Sequence, residues 1–517
     1  MLNKMSKLLS IIGMCALMAT STMTSHADVV INETNFPDAA FRSYIASTID
    51  EDESGTLDDD EIYGTSSIVV RSLGIKSLKG IERFTELTAL WCDDNELPVL
   101  DLSHNTKLSQ LHCTFNKLNS LDLSSNTALT RLYIDGNPIA AIDLSHNTKL
   151  QQLYCNSCKF KTFDLGANKA LQRLYCNNNE VESLHLNGNT KLTMLQCNNN
   201  KLTSLDLSGN TALRWLFVTH NKLSSLDLSN NTDLEWLLCY DNAITALDLT
   251  ANVQLADVRC QHNQLTTLAV GNNQNMTQLF CSNNALTALD LSGATALTEL
   301  HCDSNSIATL DLSSNVLLDS VYVNDNGMQQ LRLGTQGKAL AIKKLVCSNN
   351  HLSCLDLDYG LDHSGDALLE ASNNGRVING VERAGNASTI TTTALAQELG
   401  DGFDMSRVTS WDGAQNDGQG HLKLTSDTVR YVYATNWTKQ SIAQREPSFD
   451  SNPAQVTFYF TWTKTTAVEE HNMGTTTPDR IVYYDTLGHC SPIPFKGLNI
   501  VVRHYGTGST STSKVYR

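Results

Sequence analysis

From Leu87 onward a leucine returns every 21 residues, at Leu108, Leu129, Leu150, Leu171, Leu192, Leu213, Leu234 and Leu255 and again at Leu297 and Leu318, with Met276 filling the one gap. A chain of 517 residues that repeats at this interval does not call for one ordinary core. Each copy is one small unit whose apolar side is buried only against its neighbours, so the period predicts a stack. In the copy that begins at Leu171, alternation sets Leu174 and Cys176 on one side of a short strand and Arg173, Tyr175 and Asn177 on the other. Stacked copies then join their strands into one long parallel sheet with a continuous interior.

Fourteen cysteines in a chain carrying an export signal would ordinarily point to disulfides. Their spacing argues against it. Cys92, Cys113, Cys155, Cys176, Cys197, Cys239, Cys260, Cys281, Cys302 and Cys347 fall in one inward column that Ile134, Val218 and Val323 interrupt. A metal ligand or redox partner does not exchange for Ile or Val, whereas a small buried hydrophobe does, and free Cys behaves as one. A second column, from Asn95 and Asn116 to Asn326 and Asn350 with Cys158 in one copy, reads as inward amides serving backbone groups where the strand turns away. Asp206 and Asn210 in the "DLSGN" segment read as turn residues on the far side of the coil.

The copy L-x-x-L-x-C-x-x-N-x-L-x-x-L-D-L-S-x-N-x-x resembles the leucine-rich repeat, in the short cysteine-bearing form of internalin-J-like bacterial surface proteins, over about residues 66–374. "LVCSNNHLSCLDL" at 345–357 follows a three-residue insertion, and "LEASNNG" at 369–375 reads as a last, degenerate turn. The resemblance implies an α/β solenoid with its parallel sheet on the concave face, and a ligand bound on that face.

The outward column varies freely: Trp91, His112, Tyr133, Tyr154, Tyr175, Gln196, Phe217, Leu238, Arg259, Phe280, His301, Tyr322 and Val346, with Trp215 and Trp236 two positions before Phe217 and Leu238. Nothing in the packing of the stack calls for rings on its solvent side. Exposed apolar patches mark contact surfaces, and Tyr, Trp and Arg supply most hot-spot energy. The twelve ringed or basic members of this set, without Gln196, Leu238 and Val346, are the expected ligand-binding residues.

Ahead of the repeats, Phe36, Ala40, Phe41, Tyr44, Ile45 and Ile49 keep helical spacing, with Pro37 expected in the first helical position. Asp50 to Glu61 then matches the twelve-residue EF-hand loop. Asp50, Asp52, Ser54, Thr56, Asp58 and Glu61 stand at the ligand positions and Gly55 at the sharp turn. A helical cap over 28–65 with a structural calcium ion is expected.

The chain opens with Lys4 and Lys7, an apolar run from Leu8 and small residues up to Ala27, the pattern of a cleaved secretory signal over 1–27. No later run is long and apolar enough for a membrane span. The formal charge of −17 argues against a nucleic-acid partner. Beyond the repeats (66–379), Thr-, Val- and aromatic-rich runs such as "TVRYVYATN" and "VTFYFTW" predict a β-rich domain over 380–475, and "TALAQELG" one short helix. Residues 476–517 resemble the terminal sorting module of exported Bacteroidota proteins through Tyr484, Asp485, Gly488, Lys496, Gly497, Ile500 and Val501. No nucleophile elbow, HExxH or phosphate loop is present, so no enzyme is expected. The expectation is a secreted or cell-surface adhesin-like protein that recognises a protein partner on a host or neighbouring cell. A glycan-binding or glycan-processing site in the β-rich domain, around Trp411, Trp437 and Trp462, is the alternative.

Overall fold

A computed structural model describes residues 28–334, 340–355, 368–381, 383–384, 387–400, 403–426, 428–434, 455–464, 480–484, 490–491, 498–504 and 510–516. The expected export signal and Trp437 lie outside these residues, as do Asp485, Gly488, Lys496 and Gly497 of the terminal segment. Two compact units are present: 1–377 with 391–461, and 378–390 with 462–517.

The repeats form a parallel β-solenoid. Fifteen short strands, from Ser67–Val69 to Leu368–Glu370, pair in chain order into one sheet. Each strand meets the next without a register slip, Leu174 opposite Leu195 and Tyr154 opposite Tyr175. The three-residue insertion leaves the pairing of Ser320–Tyr322 with Lys344–Val346 undisturbed. On the other side of the coil, two-strand parallel pairs form at Thr162–Asp164 with Ser183–His185 and at Ala246–Asp248 with Thr267–Ala269.

The interior is built as the period requires. Leu171, Leu174, Cys176, Val181 and Leu186 are buried in one coil, and their equivalents are buried in the next. The column cysteines are free and buried. Burial pushes the thiols of Cys113, Cys239, Cys281 and Cys347 up, that of Cys347 to about 12, so these four stay protonated and apolar.

Two asparagine ladders tie coil to coil. In the first, Asn179 donates through Nδ2 to the carbonyls of Cys155, Cys176 and Asn177, at 2.9, 3.1 and 3.1 Å, and its Oδ1 accepts from the N–H of Phe160. Cys158 breaks this series, offering only a thiol 3.4 Å from the Ile134 carbonyl. The second ladder corrects the turn assignment of Asn210. That residue is buried, and its amide donates to the carbonyls of Leu186 and Asn189 in the coil before. The turn itself belongs to Asp206, whose Oδ1 accepts from Ser208 N–H at 3.0 Å.

Each coil leaves the sheet through a left-handed residue just before the first-ladder asparagine: Asp94, Ser157, Asn178, Asn199 and so on to Asn349. These are residues that tolerate positive φ. Phe115 holds the same conformation (φ 51°) with 63% of its surface exposed. Its ring lies over Gly136, where an added Cβ would stand 2.5 Å from the Phe115 Cδ1.

Ahead of the sheet, helix α1 (Ala39–Tyr44) is capped by Asp38, which accepts from the N–H groups of Ala40 and Phe41. Pro37 therefore precedes the cap and is not the first helical residue, because Asp38 supplies the capping oxygen that Pro37 lacks. The helix widens into a π-turn at Ile45–Ile49. The other oxygen of Asp38 accepts from the Lys76 N–H at 2.7 Å and so fastens this segment to the first coil.

After the repeats, helix α2 (Thr392–Leu399) and strands Val408–Asp412, Thr428–Ala434 and Gln455–Lys464 occur where helix and strands were expected. Tyr431 is buried and its hydroxyl donates to the Ser353 carbonyl at 2.8 Å, an anchor onto the end of the stack. The second unit contains a four-strand antiparallel sheet, ordered Cys490–Ser491, Arg480–Tyr484, Leu498–His504, Thr510–Tyr516.

Candidate functional site

Because strands pair without slippage, equivalent outward residues stand side by side, and the sheet turns a sequence column into a surface row. The expected ring residues fall into three groups. Trp91, His112, Tyr133, Tyr154 and Tyr175 form one continuous ladder. Its ring centroids are 5.5, 4.0, 4.3 and 4.2 Å apart, and the last three pairs are stacked within 14° of parallel. Phe280, His301 and Tyr322 form a second ladder, at 4.4 and 4.1 Å. Between them Trp215 pairs with Trp236 and Phe217 with Leu238. Trp236 is the most open member, 47% exposed. Arg259 sits 4.8 Å from the Phe280 ring and is held by Asp257 at 3.0 Å.

Stacking has an electrostatic consequence. Burial against its neighbours holds His112 below the ordinary imidazole range, so its ring is neutral at pH 7. The same desolvation pushes the Tyr175 hydroxyl up to about 12, which leaves it a hydrogen-bond donor. Tyr133 and Tyr175 direct their hydroxyls at the side chains of Gln152 and Met194. Each inner ring has both faces covered by its neighbours, so the ladder offers solvent its edges and hydroxyls.

Two features of this face escape a reading of the outward column alone. Phe115 belongs to the corner of the second coil, not to the strand. The signal was available, since Asn, Asp, Ser, His or Gly occupies that place in the other coils. Lys344, 4.9 Å from the Tyr322 ring, extends the second ladder by a cation.

At the cap, carboxylate oxygens of Asp50, Asp52 and Glu61 lie within 4.8 Å of one another, the one group of three metal-ligating side chains among the described residues. Ser54 Oγ donates to the Thr56 carbonyl at 3.0 Å, which draws those two oxygen donors together. Asp58 is used otherwise: it caps the helix Asp59–Gly64, accepting from Glu61 N–H while the Glu61 carboxylate accepts from Asp58 N–H. Leu57 pairs with Val29 in a short antiparallel bridge behind the loop. An all-oxygen donor set of this kind suits a hard cation such as calcium.

No protein-family model matches the chain. The sequence is 34% identical to internalin J of Listeria monocytogenes over 71 residues, which is 14% of this chain and 8% of that protein. The functional domain of InlJ from Listeria monocytogenes, described as including a cysteine ladder, superposes with a TM-score of 0.59 at 26% identity, covering 86% of this chain and all of that one. The chain is thus similar to internalin-type leucine-rich repeat proteins. A second internalin, InlF of the same species, is 21% identical with a TM-score of 0.47 over 63% of this chain and 94% of its own. No helix among the described residues of the internalin-like chain is long and apolar enough to cross a membrane.

Proposed function

We propose that the chain is an adhesin-like protein, secreted or held at the cell surface, that binds a protein partner through the outward face of its long sheet, and that the Asp50–Glu61 loop holds a structural calcium ion. The observation that carries the first part is the pair of ring ladders, Trp91 to Tyr175 and Phe280 to Tyr322, on a face whose own packing has no use for them. A glycan partner is disfavoured because sugar rings stack on open aromatic faces and here the inner faces are taken. Edges and hydroxyls instead suit peptide carbonyls and side chains, and Tyr and Trp in such rows are hot-spot residues. No enzymatic role is proposed.

A variant with Tyr154, Tyr175, Trp215 and Trp236 all changed to Ala tests the binding face. Surface plasmon resonance against fractionated cell-surface proteins should lose the wild-type signal while the melting temperature stays within a few degrees; full retention of that signal defeats the assignment. For the loop, Asp50, Asp52 and Glu61 would supply carboxylates and the Thr56 carbonyl a neutral oxygen. Chelation should lower the melting temperature, and Asp50→Ala should remove that response. A melt indifferent to calcium rejects the ion.

A further inference from the structure

The first ladder is accompanied by a second row two residues earlier on each strand: Gln110, Arg131, Gln152 and Arg173. Glutamine and arginine alternate, so a guanidinium recurs every second coil. Elsewhere on this face the arginines are spent on carboxylates: Arg71 on Asp93, Arg214 on Glu235, Arg259 on Asp257. Arg131 and Arg173 are exposed, and neither has an ion-pair partner among the described residues. Arg131 donates one long hydrogen bond, 3.5 Å, to the Gln110 side-chain carbonyl. Two carboxylates border the patch and both are engaged, Asp93 by Arg71 and Asp135 by the backbone and side-chain amides of Asn156. On a chain of net charge −17, two unpaired arginines beside a row of tyrosine hydroxyls mark a local site for negative charge.

The spacing narrows the occupant. Two coils of a parallel sheet separate equivalent side chains by roughly 9.6 Å. A polyproline II segment advances about 3.1 Å per residue with three residues per turn, so every third side chain returns to the same side after about 9.3 Å. An extended β-peptide repeats its side at about 6.8 Å or 13 Å and misses this interval. We propose that residues 110–175 bind an acidic polyproline II peptide of the form acid-x-x-acid, laid along the stack. Arg131 and Arg173 each take one carboxylate, and the Gln110 and Gln152 amides and the tyrosine edges meet its solvated backbone and proline rings. A long sulfated glycan matches less well, because it would carry its charge on past the patch into Asp257, Glu299 and Asp303.

This deepens the binding reading above and rests on it. The test is fluorescence anisotropy with the full chain and a labelled (Glu-Pro-Pro)4 peptide at low salt. The expected result is saturable binding that weakens at least tenfold in R131Q/R173Q, with a melting temperature equal to wild type. The (Gln-Pro-Pro)4 peptide and a (Glu-Pro)6 peptide of altered spacing should bind at least tenfold more weakly. Equal binding by the variant, or by either control peptide, overturns the proposal. So does tighter, arginine-dependent binding of a heparin oligosaccharide, which would make the site a polyanion patch. Loss of the peptide result alone, with the cell-surface signal still abolished by the four-alanine variant, rejects this occupant and keeps the binding face.

Discussion

On the strand Arg173–Tyr175, Leu174 and Tyr175 are adjacent in the chain, yet they answer to different constraints. Leu174 has no exposed surface, and every equivalent strand centre from Leu90 to Leu345 is Leu or Val. Tyr175 is half-buried, and its equivalents run through Trp, His, Tyr, Gln, Phe, Leu, Arg and Val. The inward column is answerable to volume, because interiors are close-packed and a lost methylene is felt. The outward column is answerable only to what lies above the sheet. A solenoid thus separates stability from recognition by one residue of register, and substitutions on the two columns should differ in kind.

The contrast can be broken most sharply at Leu174→Ala, which should cost about 3 kcal/mol in urea denaturation through lost burial and a cavity. Tyr175→Ala, one residue on, should stay within roughly 1 kcal/mol of wild type. Equal costs at the two positions would dissolve the distinction. Asn179→Ala, which strands the Phe160 N–H and the Cys155 carbonyl, should cost about 2 kcal/mol. The converse is Cys158→Asn, which restores the missing rung and should gain about 1 kcal/mol. Cys176→Val, following the replacement already present at Val218, should change stability by less than about 1 kcal/mol and leave binding untouched. A large loss there would give the thiols a role beyond packing. The smallest expected effect is at His112. Its folded-state ring resists protonation, so stability should decline slightly as pH falls through the free-imidazole range near about 6.5, and His112→Phe should flatten that decline.

The parts legible in the sequence were those that the period repeats often enough to expose their tolerance. Ile134 and Val218 in the cysteine column announce packing before any coordinates, and Tyr154 and Tyr175 announce a row because each step is 21 residues. Asn210 was misjudged because Asn serves turns and buried ladders alike, and only the path of the neighbouring coil, with Leu186 and Asn189 presenting carbonyls, separates the two roles. Pro37 stands two positions ahead of the first helical residue because Asp38, a better cap, follows it. Phe115 went unread since a ring in a left-handed corner has no periodic signature, and its seat on Gly136 depends on a residue one coil away. That Arg131 and Arg173 have no ion-pair partner among the described residues is likewise a property of neighbours across the sheet.

The unbroken register of the fifteen strands also sets how such a surface can change size. Adding or deleting a whole coil preserves every rung above and below it, whereas a gain of a single residue inside a strand would turn the inward leucines to water. Consistent with this rule, Ser320–Tyr322 and Lys344–Val346 pair in register although the chain between them is three residues longer than in the other coils. The outward face is therefore a ruler graduated in single coils. Gene duplication can lengthen it one tick at a time, each tick bringing a fresh set of outward side chains for selection to edit.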